Sequence, residues 1–88
     1  MSEQFSKYTF EKLAWLEHDI WANWMKYLFT KGTLNEDGSF TIEPASVKRW
    51  TRQMNTDYDN LPEKEKESDR NLVKRFLRML CLIELENK

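Results

Sequence analysis

The chain has 88 residues, a net charge of −1 and 33% charged residues, which suffices for one domain with one modest core and argues against bulk, non-specific nucleic-acid binding. Aromatics make up 14% of it and glycine and proline number two each, so a mainly helical fold with few loops is expected over residues 1–88. No apolar run approaches the ~18–20 residues that span a bilayer and no secretory h-region follows Met1, so the reading is a cytoplasmic protein without membrane association.

Residues 1–8 are polar apart from Phe5 and Tyr8 and read as a frayed start or an extra helical turn. Ser6 or Thr9 can cap the helix that follows, because either hydroxyl accepts from an orphan N–H. From Thr9 to Phe29 the chain runs without glycine or proline and holds Trp15, Trp21 and Trp24, three of the four tryptophans. At helical spacing Ala14, His18, Trp21, Met25 and Leu28 form an apolar stripe, widened by Phe10, Leu13, Trp24 and Phe29. This helix is expected to be the element the other segments wrap, ending near Thr30 to Gly32 with Gly32 as a left-handed cap. Residues 33–43 form the one long irregular stretch, with a turn at Asn35-Glu36-Asp37-Gly38 and a short extended or hairpin segment at Phe40-Thr41-Ile42.

Pro44 suits the first turn of a second helix, on which Val47, Trp50, Thr51 and Met54 share a narrow apolar face. Lys48, Arg49 and Arg52 lie off that face and read as a solvated basic side. Asn55-Thr56-Asp57 ends the helix. Pro62 marks the start of a third, polar through Glu63–Arg70 and strongly apolar from Leu72 to Ile83, either unbroken or interrupted near Ser68. Its one cysteine, Cys81, lies in the run Met79–Ile83 and reads as a buried thiol; one cysteine forms neither an intrachain disulfide nor a zinc site. The expected architecture is a small, mainly α, single domain with three main helices and a short extended or hairpin segment near residues 33–43.

Few residues point to chemistry. There is no glycine-rich phosphate loop, and Ser68 lies in nothing resembling a nucleophile elbow. With His18 as the one histidine, no metal or cofactor set is indicated, and a non-enzymatic protein is expected. His18 reads as a core histidine within the stripe. Glu65 and Asp69 share a helical side with Leu72 and Phe76, so both carboxylates should face the domain. Inward carboxylates need partners, and at least one should accept from His18, a tryptophan N–H or an inward-reaching arginine or lysine.

Two blocks, His18-x-x-Trp21-Ala22 and Tyr58-x-x-Leu61-x-Glu63-x-Glu65-Lys66-Glu67-x-Asp69-Arg70, resemble the RyR domain, a small module found as tandem repeats in ryanodine receptors and as free-standing bacterial and phage proteins. The likeness extends from about Leu13 to Ile83. It implies a small helical domain with short extended pieces, binding an adenine-nucleotide-like or signalling nucleotide, with Trp21 stacked on the base. The chain departs from the receptor repeats at Tyr27-Leu28-Phe29, where they carry a Gly-Trp pair, and at Met25, where they often carry arginine or lysine. Phosphate charge would then come from Lys26, Lys66 or Arg70. The resemblance thus implies a ligand site of Trp21, His18, Lys26, Tyr58, Lys66 and Arg70, with Glu65 and Asp69 as a structural motif, in a protein that sequesters a nucleotide if phage-encoded. The alternative from the residues themselves is a protein-interaction or homo-oligomerisation module, because four tryptophans exceed what one small core readily buries. Nucleic-acid binding through Lys48, Arg49 and Arg52 is a weaker third reading.

Overall fold

The computed structural model describes residues 6–86, so Phe5 and part of the expected frayed start lie outside the described residues. The element order is α1 (Lys7–Leu28), β1 (Gly32–Leu34), β2 (Phe40–Ile42), α2 (Pro44–Met54), a 3-10 turn (Tyr58–Asn60) and α3 (Glu63–Glu86). The fold is mainly α, with three α-helices and one two-stranded hairpin among the described residues.

Local chemistry explains each boundary. Ser6 is the N-cap of α1: its Oγ accepts the Thr9 N–H at 3.2 Å, and the two hydroxyls lie 3.1 Å apart. At the other end the Phe29, Thr30 and Lys31 N–H groups close onto the last carbonyls of the helix. The strands pair antiparallel in the register Gly32↔Ile42, Thr33↔Thr41 and Leu34↔Phe40. Gly38 adopts φ 91°, and the Asp37 carboxylate accepts from the Ser39 N–H and hydroxyl across the same turn. Those two hydrogen bonds hold the Asp37 carboxyl below the ordinary carboxylate range. Gly32 was expected as a left-handed cap and is instead a strand residue. A Cβ there would lie 2.0 Å from the Thr41 carbonyl oxygen and 2.8 Å from the Phe40 ring, so close approach of the strands excludes a side chain. The Glu43 N–H then donates to the Lys31 carbonyl at 2.8 Å, returning the chain to the end of α1 before Pro44 opens α2. Pro62 immediately precedes α3, whose first turn donates back to its carbonyl, and α3 runs unbroken through Ser68.

α1 and α3 pack together and run antiparallel: Asp19 pairs with Arg75, while Lys12 and Trp15 lie beside Met79, Leu82 and Leu85. The faces that meet differ from expectation on α1. Its inward stripe is Thr9, Leu13, Leu16 and Ile20, whereas Ala14, His18 and Trp21 are exposed; Met25 and Leu28 are half-buried. Hydrophobicity alone favoured the tryptophan-bearing stripe, but α3 is met by the side carrying Leu16. On α3 the expected side faces inward in part: Glu65, Asp69, Phe76 and Met79 are half-buried and Ile83 is buried, whereas Leu72, expected on the same side, is exposed. Cys81, expected in the core, is exposed because it lies nearly half a turn from Ile83.

The core is small. Leu16 at 2% exposure and Ile83 at 4% are the buried apolar side chains among the described residues. The radius of gyration is 17.3 Å, against about 12 Å for a compact domain of this length. Two long helices lie side by side with only one face of each covered.

Candidate functional site

The six ligand residues implied by the family resemblance fall into separate groups. His18 and Trp21 stand one turn apart on the outward face of α1, with ring centroids 5.9 Å apart and planes tilted by 30°. Both are exposed, Trp21 at 54%. His18 is therefore not a core histidine. The carboxylate on α1 that reaches α3 is its neighbour Asp19, whose Oδ2 accepts from Arg75 at 2.7 Å. Lys26 is exposed on the same helix.

Tyr58, Lys66 and Arg70 gather where the 3-10 turn meets α3. The Lys66 ammonium lies 5.7 Å from the centre of the Tyr58 ring. Arg70 donates to Glu63 at 2.6 Å and to Glu67 at 3.2 Å. Glu63, Glu67 and the Tyr58 hydroxyl hold its guanidinium above its ordinary pKa, and Arg70 in turn holds the Glu63 carboxyl below 4.5. The two cations thus already have anionic or aromatic neighbours. Among the described residues, no hydrogen bond or ring contact joins this group to His18 or Trp21.

The paired carboxylates divide as well. Glu65 accepts both guanidinium nitrogens of Arg52, one of them at 3.2 Å, which pins α2 to the first turns of α3 and raises the Arg52 pKa. Asp69 is half-buried, and among the described residues no side-chain hydrogen bond reaches its carboxylate. The basic side of α2 is also not simply solvated. Arg49 donates to the Tyr27 hydroxyl at 3.2 Å and lies 5.8 Å from the Trp50 ring centre.

Two arrangements were not foreseen. The first is an aromatic clamp: Trp24 meets Trp50 edge-on at 5.1 Å and Tyr27 at 5.5 Å, and so docks α2 on the last turns of α1. Trp50 alone of the predicted α2 face makes this contact; Val47 and Met54 are exposed, and the buried residue is Ser46, bonded to Glu43 at 2.8 Å. The second is a groove of about 400 Å³ between the far halves of α1 and α3, lined by Lys12, Trp15, Met79, Leu82 and Leu85. Its signal in the sequence was Trp15 standing off the predicted stripe.

No cluster of His, Cys, Asp and Glu that could hold a metal exists among the described residues, and no helix of the structure is long and apolar enough to cross a membrane. No protein-family model, curated protein or solved structure matches this chain.

Proposed function

We propose that this chain is a non-enzymatic protein-interaction module that works through the apolar surface of α1 and α3. The observation that carries this reading is the inversion of burial on these helices. Trp15, Val73, Leu77, Leu82 and Leu85 are exposed, while only Leu16 and Ile83 are buried among the described apolar residues. A helix that is apolar on several sides ordinarily has every such side covered by protein. Contiguous exposed apolar surface marks interaction sites, and tryptophan and methionine are enriched at interface centres. A photo-cross-linking residue at position 82, introduced in cells expressing the chain, tests this. Discrete adducts are expected from position 82 and none from the exposed polar position 64; equal or absent labelling at both would refute the reading.

A second reading is supported by Trp21. Its exposed indole beside His18 offers a stacking surface for a nucleotide base, an interaction worth about 1–3 kcal/mol. Under this reading Lys26, on the same helix, is the cation left to meet phosphate, and the protein acts as a nucleotide-sequestering domain. Calorimetric titration with adenine nucleotides and cyclic dinucleotides checks it. Heat abolished by Trp21→Ala supports it, and no heat at millimolar ligand counts against it.

A further inference from the structure

The interaction reading leaves the partner open, and the groove beside Trp15 identifies one. Resting on that reading, we infer that the partner is a second copy of this chain, packed groove to groove about a two-fold axis so that four helices share one core.

Surface area is the first argument. The accessible surface is 7358 Å², whereas a compact monomer of 10.7 kDa exposes about 5,500 Å² by size scaling. The excess, about 1,900 Å², lies within the ~1,000–2,500 Å² that each protomer contributes to an obligate homodimer. That excess is spread over the whole molecule, and the exposed Trp15, Leu82 and Leu85 contribute to it.

Shape is the second. A two-fold interface places the same patch on both sides, so a projection must stand beside the cavity that receives its symmetry mate. Trp15, 60% exposed, lines an open groove of about 400 Å³ together with Lys12, Met79, Leu82 and Leu85, and both leucines are themselves exposed. The indole of one copy enters the leucine-lined hollow of the other, and the reciprocal contact forms at once.

Charge is the third. Charged groups flank the groove: Lys12 lines it, and the exposed Arg78 stands one turn before Leu82 on α3. Asp19 and Arg75 neutralise each other at its inner edge, and the Lys12 ammonium lies 5.5 Å from the centre of the Tyr8 ring at the rim, where a cation remains hydrated. The opposite flank of α3 carries Val73 and Leu77, which are exposed and do not line this groove. It is left as the outer surface of the pair.

Light scattering and sedimentation equilibrium of the purified full chain, from low micromolar to near-millimolar concentration, test this directly. Wild type is expected at twice 10.7 kDa. Leu82→Glu and Trp15→Glu should weaken association at least a hundredfold, with Leu77→Glu still dimeric. A wild-type monomer across the whole range overturns the inference, as does a dimer that survives Leu82→Glu and Trp15→Glu but is broken by Leu77→Glu. Should the groove variants lose helicity, intermolecular nuclear Overhauser effects in a mixed isotope-labelled wild-type sample decide instead. Contacts between the Trp15 indole and Leu82 or Leu85 methyls of different copies are expected, and their absence overturns the inference. A monomer that still gives discrete adducts with another protein from position 82 refutes self-pairing while leaving the interaction reading intact; no adducts at all refutes both.

Discussion

The two ends of the α1–α3 pair are built on different principles. At the hairpin end the chain satisfies itself: Trp24, Tyr27 and Trp50 interlock, Arg52 grips Glu65, and the Glu43 N–H closes on the Lys31 carbonyl. At the far end the same two helices carry Trp15, Leu82 and Leu85 into solvent, with Leu16 and Ile83 beneath them. Directional contacts, which specify one geometry, are concentrated where the connections are short. Exposed apolar side chains occur at both ends, with Phe29, Leu34 and Met54 at the hairpin end. The hairpin end fixes how α1, α2 and α3 are placed, and that placement presents the far end as a surface.

Substitutions can break or sharpen this contrast. Leu16→Ala should have the largest effect, about 2–5 kcal/mol of unfolding free energy by denaturant titration, because it empties one of the two buried apolar positions. Gly32→Ala follows, at about 1–3 kcal/mol, since a Cβ there meets strand backbone that cannot yield. Asp69→Ala should change stability by less than about 0.5 kcal/mol, as for a substitution that breaks no network. A loss of several kcal/mol would show that Asp69 has a buried partner and would extend the self-satisfied end along α3.

The smallest effect concerns pH. Arg70 lowers the Glu63 pKa below its ordinary 4.5, so the folded state gains stability from this group above that value. The gain is lost as pH falls through the lower folded value. Glu63→Gln should therefore flatten the acid side of the pH–melting profile slightly and leave neutral pH nearly unchanged; both carboxyl and guanidinium are well solvated, which keeps the effect small.

Much of the fold could be read from the residues. The absence of glycine and proline across Thr9–Phe29, Pro44 before the Val47–Met54 face, and the apolar run after Leu72 each correspond to a helix, and the Asp37-Gly38 turn to the hairpin. What periodicity could not choose was the side of α1 that faces inward. Trp15, Trp21 and Trp24 point in three directions around that helix, so several apolar stripes overlap, and the selection depends on α3, more than fifty residues away. The same limit applies to the candidate site. Glu65 was expected to have an inward partner, but Arg52 reads as a solvated cation in the sequence because only the folded chain brings α2 across α3. Cys81 reads as core because its neighbours are apolar, and a sequence alone does not distinguish a core from an interface.

Hydrogen exchange of wild type and Leu82→Glu tests most directly the claim that the far end is a surface requiring a second chain. The account predicts that the variant loses protection of amides around Trp15 and from Arg75 to Leu85, while the hairpin and α2 exchange as in wild type. Identical protection in the two proteins at both ends would contradict it, because Leu82 would then be an ordinary exposed side chain.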